Sequence, residues 1–465
     1  MKPLLFLVPL LFLPVAHANN PLLPQTVAQS TERHYPEILA AAAERRAALG
    51  RQLSASGAFD TLVETKARAR LDGFYSGDTG EVSVSRALRP FGAEVYGGYR
   101  ISQGDFPIYE DEDFTDQGGE VKIGVLFNLL RNRAIDSRRA GLREADIDVS
   151  AAELDVLLTQ IEVQQRALIS YWLWVAKGRE LKAYQDLLSL AERRDAALRR
   201  EVASGARARI VLTENAQNVT RRQELVRRAE QDLTLAANGL SLFLRDPVGE
   251  PIIPGPNQLP ETLPLPQNGG GIDTRALLAT RPDLQLLNLA QQRLEVQRDL
   301  AKNDLQPELR VAVEAADDFG ALGPGGISRD EREVIAGVTL SVPLGRRDAR
   351  GRLRAAEAEI TAVEQRQRLL RDQIVRELRD IVVELETAED LLTLTRQETA
   401  QANALREAER SRFRSGASDF FLVNLREQSA ANAQVRLAEA EFNLAAATLA
   451  FQAATLDLER LRSGA

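Results

Sequence analysis

One segment constrains this chain more than any other. From Arg347 to Ser415, apolar or small residues fall at Leu353, Ala356, Ile360, Val363, Leu370, Ile374, Leu378, Ile381, Leu385, Ala388, Leu392, Thr395, Thr399 and Ala402. Steps of three and four alternate almost throughout, and no proline interrupts the stretch. A repeat of about 3.5 residues keeps one seam facing a neighbouring helix and predicts coiled-coil packing. At 1.5 Å per residue, a helix of roughly 70 residues spans on the order of 100 Å. A lone helix of that length cannot bury its seam, so it needs partners.

Ala134 to Val202 reads as a second helix of the same length. Candidate partners, Arg207 to Leu244 and Asp419 to Leu461, follow directly after glycine-containing turns. Taken alone, these four segments describe a coiled-coil scaffold.

The text also repeats itself. Tyr35-Pro36-Glu37-Ile38, followed by an alanine-rich run, is matched by Arg281-Pro282-Asp283-Leu284 and another helical run. Gly124-Val125-Leu126-Phe127-Asn128 is matched by Gly337-Val338-Thr339-Leu340-Ser341. Ala203-Ser204-Gly205-Ala206 is matched by Arg414-Ser415-Gly416-Ala417. The expected plan is a leader at 1–18, a first repeat at 19–245, a linker at 246–271 and a second repeat at 272–465. Within the first repeat, strands fall inside 59–130, the long helix inside 134–202 and its partner inside 207–244. Within the second, a helix occupies 272–305, strands 308–343, the long helix 347–415 and its partner 419–461. The linker carries seven prolines and five glycines, which cannot continue a helix. Pro36 to Gly124 is 88 residues and Pro282 to Gly337 is 55, so the first strand region is 33 residues longer.

A pure scaffold does not account for the segments between the helices. Val121, Ile123, Val125 and Phe127 alternate with Glu120, Lys122 and Gly124. Val334, Ala336, Val338, Leu340 and Val342 alternate with Ile335, Gly337, Thr339 and Ser341, and Leu309, Val311 and Val313 alternate with Arg310, Ala312 and Glu314. A period of two marks strands with one apolar face. Each can reach about ten residues, the length of a tilted strand across an outer membrane. A barrel in lipid must close, because an open edge leaves backbone groups unpaired. Two strands per half give about four per chain, too few to close around a pore, so several chains must share one barrel.

Composition excludes a good deal. No cysteine occurs, which removes disulfides, thiolate chemistry and an N-terminal lipid-modified cysteine. The only histidines are His17 and His34, too few for a histidine-based metal or catalytic set. The formal charge of −8, from 59 basic and 67 acidic residues, leaves no footprint for nucleic acid. No Gly-rich phosphate loop is present, since Gly323 to Gly326 lies between strands with no lysine after it. The expectation is a non-enzyme without cofactor or metal. The acidic run Glu110 to Asp113, with Asp116, lacks the glycine and spacing of a calcium loop and reads as a solvated surface loop. Lys2, the apolar stretch Leu4 to Val15 and Ala16-His17-Ala18 form the three-part pattern of a secretory signal, giving a mature start near Asn19. Trp172 and Trp174 read as helix packing. Phe74, Tyr75, Tyr96, Tyr99, Phe106, Tyr109 and Phe127 read either as an interfacial aromatic girdle or as ordinary strand packing.

On these residues the chain resembles the TolC-like outer membrane efflux protein family. The likeness is carried by Arg281-Pro282-Asp283-Leu284 with the helix to Leu305-Gln306-Pro307-Glu308-Leu309, and by the turn Phe413-Arg414-Ser415-Gly416-Ala417-Ser418; Tyr35-Pro36-Glu37-Ile38 and Ser204-Gly205 are weaker copies. The resemblance implies a mainly α fold with a transmembrane β-barrel. Long helical hairpins form an α-barrel tunnel, and three identical chains share a 12-stranded barrel. It implies an export channel in the outer membrane of a Gram-negative bacterium. Its partners are outer-membrane lipid, a periplasmic adaptor, and an inner-membrane pump or secretion ATPase. The hairpin tips, Ala203 to Arg209 and Arg414 to Phe420, meet the adaptor and close the tunnel.

The tip residues expected at the adaptor are Ser204, Gly205, Arg207, Ser415, Gly416, Ser418, Asp419, Phe420 and Phe421. Paired aromatics at a turn suggest docking, with packing inside the trimer as the competing role. Some family members carry aspartates six and nine residues after the tip glycine. Here those positions are Leu422 and Leu425 after Gly416, and Val211 and Glu214 after Gly205. The expected gate is therefore mainly aliphatic and closes by dewetting; Leu422 and Leu425 as plain seam residues is the competing role. A periplasmic coiled-coil scaffold or adaptor without a barrel is the alternative function.

Overall fold

The computed structural model describes residues 20–106, 113–261, 265–266, 273–322 and 331–463. The leader at 1–18, the acidic residues Glu110 to Glu112, Tyr109 and the turn Gly323 to Gly326 lie outside the described residues. In chain order the elements are α1 (Pro24–His34), α2 (Pro36–Ser56), β1 (Thr61–Arg68), β2 (Asp78–Ala87), β3 (Glu94–Gln103), β4 (Glu120–Asn128), α3 (Ser137–Ala203), α4 (Ile210–Ser241), α5 (Thr274–Thr280), α6 (Pro282–Asp304), β5 (Glu308–Asp318), β6 (Glu333–Ser341), α7 (Arg347–Arg414), α8 (Phe420–Ala454) and α9 (Leu458–Ser463). No helix among the described residues is long and apolar enough to cross a membrane.

Two X-Pro steps set helix boundaries. Tyr35 (φ −76°, ψ 126°) separates α1 from α2, and Arg281 (φ −57°, ψ 120°) separates α5 from α6. A residue before proline is pushed out of helical conformation, while proline itself fits the first helical position. The single helix expected over 272–305 is broken there for this reason.

The chain forms two compact units. The first comprises the residues up to Leu39, Thr159–Thr274 and Val375 onward. It is helical. Tyr171, Trp172 and Trp174 of α3 are buried within it, and the Tyr171 hydroxyl donates to the Leu22 carbonyl at 2.8 Å. Here the α7 seam meets α8. Ala402, Ala430 and Ala433 form a small-residue contact, and the Thr399 hydroxyl donates to the Ala433 carbonyl at 3.0 Å. Small side chains let the two backbones approach this closely.

The second unit, Ala40–Leu158 and Arg275–Ile374, holds the sheet. Its stretch of the α7 seam buries Ala356, Val363 and Ile374. The one gap in the apolar pattern, between Val363 and Leu370, is filled by buried Gln367. Its amide donates to Asn288 Oδ1 at 3.0 Å and Gln291 Oε1 at 3.2 Å on α6.

The sheet is antiparallel and runs β1-β2-β3-β4-β5-β6. Among the described residues it has six strands rather than the expected four or so. The additional 33 residues of the first half supply the hairpin β1–β2, paired with β3 from Asp78↔Gln103 to Ala87↔Glu94. Sequence alternation there mixes Thr, Ser, Glu and Lys with valine, so the apolar period is weak. Arg139 ties the β2–β3 turn to the start of α3. It donates to the carbonyls of Arg89 (3.3 Å) and Arg133 (2.9 Å) and to the Asp136 carboxylate.

The two faces of the sheet are chemically opposite. Cross-strand partners place Val63, Val84, Gly97, Ile123, Ala315 and Val334 along one line of one face. The line beside it, on the other face, carries Glu64, Ser83, Gly98, Lys122 and Ala316. Burial is inverted relative to a water-soluble sheet. Ile123 is 68 % exposed and Val82 and Val84 are exposed, while Glu120 is 5 % exposed and Ser102 and Asn128 are buried. Ion pairs Arg100–Glu120 (2.8 Å) and Lys122–Glu81 (3.1 Å) cross the polar face. Tyr96 also lies on that face, over Gly124, and its hydroxyl donates to Glu314 at 2.7 Å. A Cβ at Gly124 would meet the Tyr96 ring at 2.4 Å, so any larger residue there requires the ring to move. Phe106 and Phe114 pack edge to face.

Candidate functional site at the hairpin tips

Both tips lie in the first unit and use the same backbone device. At the end of α3, Gly205 N–H donates to the Val202 carbonyl (3.1 Å) and Ala206 N–H to the Glu201 carbonyl (2.9 Å), with Gly205 at φ 79°. At the end of α7, Gly416 N–H donates to Phe413 (3.1 Å) and Ala417 N–H to Arg412 (2.8 Å), with Gly416 at φ 77°. This is the Schellman closure, in which a left-handed glycine satisfies the last helical carbonyls. Both glycines are in open space, so the left-handed φ alone selects them.

The chain leaves the two turns differently. Asp419 caps α8 by accepting from Leu422 N–H at 2.7 Å, whereas Arg209 gives α4 no side-chain cap. Arg207 bridges the tips: its guanidinium donates to Glu201 at 2.5 Å and sits 4.7 Å above the Phe413 ring. Ser204 and Ser415 cap backwards onto the Glu201 and Arg412 carbonyls.

The paired aromatics divide. Phe420 is 7 % exposed and lies under the Arg194 guanidinium, so it is not part of the outer surface. The physical reason is the helix start: the Asp419 cap fixes the rotation that turns Phe420 inward and leaves Phe421 73 % exposed. Of the four gate positions, Leu422 and Val211 are half-buried, while Leu425 and Glu214 are exposed. Phe421 and Leu425, one turn apart, form an open apolar line on α8, and Ile210 is exposed beside the other turn.

Behind the tips lies a cluster that sequence reasoning missed. Glu427 of α8, fully buried, is gripped by Arg194 of α3 and by both terminal nitrogens of Arg222 of α4, each at 3.2 Å. Asn424 Oδ1 accepts from Arg194 (2.6 Å) and Arg222 (3.3 Å), and the Leu187 carbonyl accepts from Arg222 at 2.8 Å. Burial holds the Arg222 guanidinium below its ordinary pKa; Glu427 opposes that shift. Among the described residues, no group of three or more histidine or carboxylate side chains could hold a metal ion.

Residues 274–461 match the family model described as outer membrane efflux protein. The search of curated proteins found no match. Among solved structures, the outer membrane protein VceC from Vibrio cholerae is 16 % identical, with a TM-score of 0.63 over 93 % of this chain and 95 % of that one. The CmeC outer membrane channel from Campylobacter jejuni is 12 % identical, with a TM-score of 0.63 over 94 % and 89 %. The open state of the MtrE outer membrane channel from Neisseria gonorrhoeae is 12 % identical, with a TM-score of 0.65 over 93 % and 88 %. At these identities the likeness is one of fold, shared along nearly the whole length of each chain.

Proposed function

We infer that this chain, whose residues 274–461 carry the outer membrane efflux protein signature and whose fold is that of solved outer-membrane channels, is a passive export duct in the outer membrane of a Gram-negative bacterium. Three copies share a barrel in the lipid and a helical tunnel in the periplasm. A periplasmic adaptor and an inner-membrane pump or secretion ATPase deliver the cargo.

The observation that carries this reading is the inverted burial of the sheet. Water-soluble sheets do not leave Ile123, Val334 and Val338 each about two-thirds exposed while sequestering Glu120. Lipid outside and water inside make that arrangement favourable. The duct needs no chemistry of its own; its selectivity lies in its lining and its gate.

At the tips, Leu422, Leu425 and Val211 form an aliphatic constriction with Glu214 at its rim. The adaptor docks on Phe421 and the polar turns formed by Ser204, Gly205, Arg207, Ser415, Gly416, Ser418 and Asp419. Phe420 supports this surface from beneath. Cell fractionation tests the reading. Heat-modifiable trimers in the outer-membrane fraction are expected, and recovery of the chain in soluble periplasm would overturn it. A pull-down of the native complex then identifies the cargo through its pump.

A further inference from the structure

We propose that three copies close an 18-stranded barrel, three times six, rather than a 12-stranded one, with β1 of each copy pairing with β6 of the next. The proposal rests on the trimeric duct reading above and adds which strands form the wall.

Five observations carry it. First, the hairpin β1–β2 is continuous with the rest of the sheet. Eight residue pairs join β1 to β2, from Thr61↔Arg86 to Arg68↔Thr79, and ten join β2 to β3. Second, the hairpin has the same two faces as the other four strands. Val63, Val82 and Val84 lie on the apolar face, and Glu64, Glu81 and Ser83 lie on the polar one. Third, β2 shares the inverted burial: Val82 and Val84 are exposed, while Glu81, Ser83 and Ser85 are half-buried. A hairpin lying outside a barrel wall has no reason to hide its polar face.

Fourth, the polar face is tied across the hairpin boundary. Lys122 of β4 reaches over β3 to Glu81 of β2 at 3.1 Å. It crosses at Gly98, which pairs with both Ser83 and Lys122 and puts no side chain in the way. Fifth, every residue of β1 and of β6 is exposed, and among the described residues each of these strands pairs on one side only.

Six strands fall short of the about eight needed for the smallest barrels. Unpaired backbone at β1 and β6 is intolerable in lipid. Strand directions alternate along the sheet, so β1 and β6 run oppositely. A β1–β6 seam between copies therefore continues the antiparallel ladder without interruption. The occupant of the β1 edge is a second copy of this chain. Barrel diameter grows roughly linearly with strand number, so 18 strands give a lumen about 1.5 times as wide as 12, in the range of water-filled porins.

The cysteine-free chain makes the seam directly testable. Val63→Cys is combined in turn with Val334→Cys, Ala336→Cys, Val338→Cys and Leu340→Cys. Val95→Cys on β3 is combined with the same four positions. Outer membranes are oxidised and run on denaturing gels. Within one chain both distances span several strands, far beyond disulfide reach. Disulfide-linked trimers are expected in at least one β1–β6 combination and in none of the β3–β6 set. Trimers linked through β3–β6 would overturn the proposal and leave the duct reading intact. So would native trimers that link through neither set. Absence of trimers would overturn the duct reading itself. If a lipid-facing pair lowers the yield, Glu64→Cys with Ile335→Cys, Gly337→Cys or Thr339→Cys reads the same seam from the lumen.

Discussion

Glu427→Gln tests whether the buried cluster behind the tips holds three helices together. The substitution keeps the shape of the side chain and removes its charge. Two guanidinium groups, on side chains 10 % and 3 % exposed, then face each other with no anion between them. Asn424 Oδ1 and the Leu187 carbonyl remain as acceptors, but neither carries charge. Removing one partner of a buried charge network costs about 3–5 kcal/mol. At roughly 2–4 °C per kcal/mol for a unit of this size, the melting temperature falls by on the order of 6–20 °C. Thermal melts of the purified protein, followed by helical circular dichroism, measure it. The matching variant Arg194→Met, Arg222→Met, Glu427→Leu replaces the whole network with apolar groups. It is expected within about 1 kcal/mol of the parent or above it, because no buried charge is left unpaired. A Glu427→Gln protein melting within 2 °C of the parent would refute the reasoning. So would a triple variant as unstable as the single one, which would mean that packing and not charge pairing is at stake.

Other outcomes follow from the same geometry. Gly416→Ala forces a side chain into a left-handed φ at a cost of about 1–2 kcal/mol, so amide exchange at the second tip rises roughly 5- to 30-fold. The Asp195 carboxyl lies below its usual range because it accepts from Arg199 (2.6 Å) and Asn215 (3.1 Å), with burial opposing. Its folded pKa is depressed, so its stabilisation is present above the unfolded value near ~3.9 and is lost as pH falls through the folded one. Asp195→Asn therefore melts below the parent at pH 7, by less than about 1 kcal/mol for this largely solvated pair, and the two curves converge at pH 2. Leu422→Ser with Leu425→Ser wets the constriction, and single-channel conductance rises at least about twofold; unchanged conductance would assign both leucines to seam packing. Phe421→Ala weakens adaptor cross-linking on the order of tenfold, whereas intact cross-linking would place docking elsewhere.

The sequence was most readable where one physical rule acted alone. Every seam position from Leu353 to Ala402 is buried or half-buried, because a repeat of about 3.5 residues leaves one way to pack. Gln367 escaped the pattern because its partners Asn288 and Gln291 are 79 and 76 residues away. The strands β4, β5 and β6 were legible from their valines. The hairpin β1–β2 was not, because its polar face carries Glu, Lys and Ser, and its other face is partly threonine. At the tips, the glycines and Asp419 signalled turn and cap. The burial of Phe420 was not legible, because Arg194, which lies over its ring once the Asp419 cap has turned it inward, is remote in sequence. The Glu427 cluster joins residues 205 and 233 positions apart, and no local pattern announces such a pairing.

The inverted sheet also fixes an order of events during biogenesis. The helical unit buries its own core and can consolidate as a single chain. The sheet has no such route. In water its valines and isoleucines are exposed and its outer strands offer free backbone to any passing strand, a recipe for aggregation. On the trimeric duct reading, its final state waits for lipid and for two other chains. On that reading, maturation is expected to be concentration-dependent, slower at low expression and sensitive to any periplasmic holding factor that shields strands. Truncated or excess chains would compete for open edges and poison assembly, a cost that a barrel closed within one polypeptide never meets.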